Sequence, residues 1–157
     1  MALKESAERV QGRLRDMGYD HRVVELPDST RTAEEAAAAI GCEVAQIAKS
    51  IIFRQSGSNE PVLVVTSGVN RVNEKLVSSS LNVKLKKADA DFVRVHTGFV
   101  IGGVAPIGHP ERITTIIDED LLKFGTIWAA AGHPKAVFSC TPEELTAMTA
   151  GQVMTIQ

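Results

Sequence analysis

Ser50-Ile-Ile-Phe-Arg54, a loop around Gly57 and Pro61-Val-Leu-Val-Val-Thr66 read as a strand, a hairpin turn and a returning strand. Upstream of this hairpin, Lys4 to Met17 place Val10, Leu14 and Met17 at helical spacing and stop at Gly18. His21 to Leu26 turns extended and is broken by Pro27, Asp28 and Ser29. Thr32-Ala-Glu-Glu35 is a capping box opening an alanine-rich helix that ends at Gly41. A short helical turn from Glu43 to Ile47 leads into the hairpin. Downstream, Asn73 to Ser80 reads as a helix, Asn82 to Lys86 alternates, and Asp89 to His96 is a short helix closed by Gly98. Phe99 to Ile101 runs extended into the turn Gly102-Gly-Val-Ala-Pro-Ile-Gly108. Ile113 to Ile117, Thr126 to Ala131 and the shorter Lys135 to Ser139 read as strands. Thr141-Pro-Glu-Glu144 caps a helix ending near Gly151, and Gln152 to Ile156 adds a last strand. Short strands interleaved irregularly with short helices predict a mixed α/β or α+β sheet, because regular βαβ units need longer crossovers.

The chain has 157 residues, and residues 1–157 are expected to form one domain able to bury its own core. Apolar residues at 44% and charged residues at 23% exclude a disordered or fibrous chain. The aromatics are five Phe, Trp128 and Tyr19, too few for a long base-stacking platform. A net charge of −2 argues against an indiscriminate grip on polyanions, DNA included, so any nucleic acid must be held by a local patch. Arg71, Lys75, Lys84, Lys86 and Lys87 stand against Glu74 alone over one such stretch, which is either that patch or a solvated face. Cys42 and Cys140 have neither CxxC nor Cys/His spacing, so no disulfide framework and no metal site is expected. The N-terminus has no apolar signal region. The longest apolar run, Phe99 to Ile107, is far short of the roughly 20 residues that span a bilayer. A cytoplasmic protein with no membrane partner is expected.

Phosphate-loop, dinucleotide, zinc-protease and serine-hydrolase signatures are missing from the sequence. Three features remain. Lys49, at the start of the first hairpin strand, either anchors a phosphate or carbonyl as a point charge or extends to solvent. Gly102 and Gly103 before Pro106 either bring bare backbone N–H groups to a ligand, where they can stabilise an oxyanion, or make a sharp turn. His133, held extended by the following proline, either positions a substrate and relays a proton or is an exposed loop histidine. Gly108-His-Pro110 echoes Gly132-His-Pro134, and three matching residues carry no repeat.

In combination these residues resemble the YbaK/ProRS-associated editing domain family, free-standing relatives of the editing insertion of bacterial prolyl-tRNA synthetases. The resemblance runs from about Thr32 to Gly151. It rests on Thr32 with the alanine-rich helix, Ala48-Lys-Ser-Ile-Ile-Phe53, Asn70 to Lys75, Gly102-Gly-Val-Ala-Pro-Ile-Gly108, and Gly132-His-Pro134 before Phe138. It implies a curved, partly barrel-like mixed sheet flanked by short helices, and hydrolysis of mischarged aminoacyl-tRNA in trans. By resemblance Lys49 holds the tRNA 3′ end, Gly102, Gly103 and the rest of the loop to Pro106 orient the ester, and His133 stands at the pocket. Selectivity is expected from pocket size, with Ile47, Phe53, Val104 and Ala105 as candidate wall residues and Pro106 and Gly132 as further substrate-binding candidates. The family is described as using the substrate's terminal ribose hydroxyl with water, and neither metal nor cofactor. The implied partners are a mischarged tRNA, tRNA-Pro among the candidates, and an aminoacyl-tRNA synthetase; a monomer fits, and the resemblance does not set the oligomeric state. Ala105 stands where many relatives carry Ser or Thr, so the cleared amino acid does not transfer. Two other readings are a non-catalytic module binding a tRNA 3′ end or aminoacyl derivative, and a regulatory partner of a synthetase.

Overall fold

The computed structural model describes residues 5–27 and 32–157; the expected helix start at Lys4 and the breakers Asp28 and Ser29 lie outside them. In chain order the elements are α1 (Glu5–Asp16), β1 (Val24–Glu25), α2 (Ala33–Ile40), a 3₁₀ turn (Val44–Gln46), β2 (Ile47–Gln55), β3 (Pro61–Ser67), α3 (Glu74–Leu81), β4 (Leu85–Lys87) and α4 (Ala90–Thr97). There follow β5 (Thr114–Asp118), a second 3₁₀ segment (Glu119–Lys123), β6 (Ile127–Ala130), β7 (Ala136–Cys140), α5 (Pro142–Thr149) and β8 (Gln152–Met154).

Local chemistry accounts for most of these boundaries. Thr141 and Glu144 form the reciprocal capping box of α5, with Pro142 in its first turn. At α2 the Thr32 hydroxyl accepts the Glu35 N–H at 3.1 Å and donates to the Glu35 carboxylate at 3.0 Å. Between β5 and β6, Asp118 ends β5 and also caps the 3₁₀ segment Glu119–Lys123, its carboxylate accepting the Asp120 N–H at 2.9 Å. The same buried carboxylate accepts from the Ser67 N–H, the Thr66 hydroxyl and the Asn70 side-chain amide, tying the ends of β3 and β5 together. Phe99 to Ile101, expected to run extended, instead enter a turn. Gly103 N–H donates to the Val100 carbonyl, and Gly102 takes φ 93°, the left-handed conformation that favours glycine at a type II turn's third position.

The strands form one open mixed sheet in the order β1-β7-β6-β2-β3-β5-β8, with β4 also paired to β2. The hairpin β2–β3 is its centre. Leu63 and Val65 of β3 join one core cluster while Val62 and Val64 join another, as the two-residue period of a doubly covered strand requires. The larger cluster packs α1, α4, α5 and Phe99 to Ile107 on one face. On the other, Val77 of α3 meets Phe53, Leu85 and Ile116, and α2 packs its alanines against Ile47 and Trp128. No helix of the described residues is long and apolar enough to cross a membrane.

Candidate active site

The central strand has one fully paired edge and one interrupted edge. On the first, Ala48 to Arg54 pair antiparallel with β3. On the second, β6 reaches only Ile47 and Ala48, and β4 pairs only from Phe53 to Gln55. Lys49 to Ile52 therefore face no strand on that edge, which leaves backbone hydrogen-bonding groups open to a ligand. A cavity of about 360 Å³ fills this gap, a volume within the range of small-molecule sites, roughly 300–1,000 Å³. Thr32, Ala33 and Ala36 of the α2 region, Ile47 to Ile52, and Trp128 to Ala130 form much of its wall. Ala88, Val93, Ile101, Gly102, Val104 and Val137 complete it.

Four of the expected residues meet here: Ile47, Lys49, Gly102 and Val104. Lys49 is exposed, and no carboxylate among the described residues comes within ion-pair distance of it, so its ammonium is available to an anion. The N–H groups of Gly102 and Val104 meet no acceptor among the described residues, whereas the Gly103 N–H closes the turn onto Val100 at 3.0 Å. Gly103 serves instead by its lack of a side chain: a Cβ there would sit 3.0 Å from the His133 backbone, so two loops pack backbone to backbone.

The other expected residues stand away from the cavity wall. Phe53 lies in the core cluster beneath α3, because strand alternation sends it to the opposite face from Ile52. Ala105 is fully buried in the main core, and Pro106 lines a separate cavity of about 320 Å³ together with Arg13, His109 and Arg112. Gly132, at φ 88°, packs against the Ser6 carbonyl and the Phe99 ring. His133 does not line the cavity; Lys135 N–H donates to its Nδ1 at 3.2 Å, which places the proton of the neutral ring on Nε2.

Two residues that sequence reasoning passed over belong to the site. Ser50 Oγ is shut off from solvent, makes no hydrogen bond among the described residues and belongs to a residue lining the cavity, so a bound ligand is an available partner. Trp128, the one tryptophan of the chain, is half-buried on the wall beside Ile47, its register partner on β2. Its rarity was the signal available in the sequence. Among the described residues the wall holds no carboxylate, imidazole or thiol. Cys140 does not line it, and burial, aided by Glu144, pushes its thiol up to about 12, far from a thiolate.

An open mixed sheet with a cavity at a broken ladder, bordered by a lysine and a glycine turn, presents a cation and backbone donors beside a mostly apolar wall. The chain belongs to the aminoacyl-tRNA editing domain family, which it matches over residues 27–148. It is 31% identical over 134 residues to the uncharacterized protein YwhH of Bacillus subtilis, covering 85% of each chain. It is 27% identical over 122 residues to the protein of Enterococcus faecalis named "Putative Cys-tRNA(Pro)/Cys-tRNA(Cys) deacylase EbsC", covering 77% of this chain and 74% of that one. Among solved structures it is similar to one described as a "putative trans-editing enzyme for prolyl tRNA synthetase", with a TM-score of 0.94, 44% identity and 99% of each chain covered. The mixed α/β fold expected from the sequence is thus the editing fold, with its sheet open.

Proposed function

We propose that this chain is a trans-editing deacylase that hydrolyses the ester of a tRNA mischarged with a small noncognate amino acid. The observation that carries the reading is the cavity at the gap in β2, where Lys49, Ser50 Oγ and the free N–H groups of Gly102 and Val104 border an otherwise apolar wall. Lys49 holds a phosphate of the tRNA 3′ end. The N–H groups of Gly102 and Val104 polarise the ester carbonyl and stabilise the oxyanion that forms when water attacks. This moves the donor role assigned to Gly103 onto its two neighbours. Ser50 Oγ hydrogen-bonds the substrate's amino group or ribose hydroxyl. An aminoacyl ester is already activated, so positioning water with the help of the terminal ribose hydroxyl suffices, and no side-chain nucleophile is needed. His133 acts from behind the glycine turn, by fixing the loop.

The amino acid sits against Ala33, Ala36, Ile52, Val93 and Ala129, small or branched side chains that offer no charge to pair. Alanine, 2-aminobutyrate, serine and cysteine, on tRNA-Pro or another tRNA, are the candidates. One methylene separates them by only about 1–3 kcal/mol, so the preference is graded and not absolute. The likeness to proteins named for Cys-tRNA deacylation and for trans-editing beside prolyl-tRNA synthetase supports both the ester and the synthetase as partners. A deacylation screen over mischarged tRNAs tests the reading. The expected result is hydrolysis of at least one ester well above its spontaneous rate, with kcat/KM lowered about tenfold or more by Lys49→Ala, the value of one charge-assisted hydrogen bond. If no ester is turned over while RNA still binds, the chain is a binding module and the proposal fails.

A further inference from the structure

Beyond the cavity, one face of the sheet carries two cations, one on β2 and one on β4, that no carboxylate among the described residues neutralises. Ala48, Ser50 and Ile52 line the cavity, and two-residue alternation puts Arg54 next in that row, about 7 Å further along the strand. Lys86 of β4 is the direct cross-strand partner of Arg54, so the two side chains rise from the sheet side by side. Like charges placed directly opposite destabilise a sheet unless an anion lies between them. Among the described residues no carboxylate comes within ion-pair distance of either one. Arg54 Nε is shut off from solvent and has no hydrogen-bond partner among the described residues, and the guanidinium is held over the Phe92 ring, 5.6 Å from its centroid. Arg54 is therefore held in place, and the pair is electrostatically incomplete among the described residues. It lies beyond the cavity wall along three elements: Ile52, Ala88 and Val93 line the cavity, and they stand two residues from Arg54, two from Lys86 and one from Phe92.

We propose that Arg54 and Lys86 clamp a backbone phosphodiester of the tRNA 3′ strand, one step behind the esterified nucleotide that the cavity receives. The inference rests on the deacylase reading and extends it: Lys49 serves the end of the strand, and the Arg54–Lys86 pair serves the chain leading to it. Arginine suits this role because its planar fork meets phosphate oxygens in two parallel bonds, with lysine adding a point charge. The clamp explains how a chain of net charge −2 holds RNA with a small local patch. It also reassigns the basic stretch seen in the sequence, since Arg71 and Lys75 lie at α3 on the far face, while Lys86 joins Arg54.

The test compares two substrates carrying the same amino acid: the aminoacyl-tRNA, and its ester with adenosine, which has no phosphate. For R54Q/K86Q the expected result is that the ratio of kcat/KM on tRNA to kcat/KM on the adenosine ester falls about tenfold, mostly through KM. The slope of log(kcat/KM) against log salt on tRNA should flatten by about 0.7, one single-strand phosphate. R54K/K86R, which keeps both charges, should recover most of the ratio. An unchanged ratio, or an equal loss on both substrates, overturns the clamp. Anisotropy of a labelled RNA hairpin with a single-stranded CCA 3′ end reads the same variants without turnover, so it judges the clamp even if wild type hydrolyses neither ester and the deacylase reading falls. Displacement of that RNA by low-millimolar inorganic phosphate at constant ionic strength would assign the pair to a free anion and overturn the proposal.

Discussion

The two walls of the cavity are held by different means. The strand wall, Ile47 to Ile52, belongs to a ladder of seven register pairs with β3, and its side chains root in cores on both faces of the sheet. The loop wall, Ile101 to Val104, belongs to no ladder. It is held by α1 and by the Gly-His-Pro loop: Arg9 donates to the Gly98 carbonyl at 3.0 Å and lies 4.2 Å over the Phe99 ring, Gly132 packs on Ser6, and Gly103 on His133. A ladder distributes its strength over many equivalent bonds, so no single residue commands it. A loop fixed by a few close approaches concentrates its strength in those approaches, and substitutions there should cost far more.

The most damaging change should therefore be at a glycine whose close approach holds the loop wall. At Gly132 a Cβ would lie 2.6 Å from the Ser6 carbonyl oxygen and 2.8 Å from Phe99, and φ is 88°. Gly132→Ala should lower stability by about 3 kcal/mol, from overpacking together with backbone strain. Gly103→Ala, pressing on the His133 backbone at 3.0 Å, should keep the fold but lower kcat/KM on tRNA about 100-fold by displacing the donors of Gly102 and Val104. The matched change on the strand wall, Ile52→Val, should cost only about 1 kcal/mol and leave kcat/KM nearly unaltered. Urea denaturation and initial rates on the three variants measure this; equal losses on both walls would dissolve the contrast.

A smaller effect tests whether α1 carries the loop wall. It precedes residues 27–148, so the match to the family does not include it. Its Arg9 is placed at the C-terminal end of α4, where a cation is favoured by the helix dipole as well as by the Thr97 and Gly98 carbonyls. Arg9→Met should cost about 1–2 kcal/mol, keeping the packing but losing the charge contacts. It should lower kcat on tRNA several-fold with KM little changed, because the loop positions the ester and does not grip the RNA. Arg9→Lys should restore part of it. A change in KM alone would mean that Arg9 contacts the tRNA.

What the sequence made legible divides along the same line. The hairpin, the capped helices and Lys49 were readable because strand composition, capping spacing and a charge between apolar neighbours are local signals. Phe53 was drawn to the cavity because its neighbours are there, but the face it takes depends on which side α3 covers. Gly102 and Gly103 were read as equivalent donors, and only the turn onto Val100 separates them. Ser50, Trp128 and the Arg54–Lys86 pair could not be found locally, since they matter through where β6 stops and β4 begins along β2. Arg9 lies 89 residues from the carbonyl it holds, and a separation of that size leaves no periodicity in the sequence.

The smallest effect is one of pH, and it too should fall on the loop wall. His109 Nε2 is 2.8 Å from the Ala105 carbonyl, so the neutral ring donates to the loop, and the ring stands edge-on to Phe99. Burial holds its pKa below the ordinary 6.5, with Arg9 and Arg13 acting the same way, against the opposing pull of the Ala105 bond. The unfolded chain then binds a proton that the folded one refuses, so this contribution is whole above pH 6.5 and is lost as pH falls from 6.5 through the folded value. Glu144 behaves as a carboxylate does in a lower window: its bond from the Thr141 N–H, then that from His21, holds its pKa below 4.5, and its share is lost only as pH falls from there. Between pH 7.5 and 5.5 the loss should therefore belong mainly to His109. Urea midpoints over that range should fall for wild type and fall less for His109→Gln, which can still donate to Ala105 but does not titrate. Parallel curves for the two proteins would remove His109 from the loop's support and leave the wall to α1 and the glycine contacts alone.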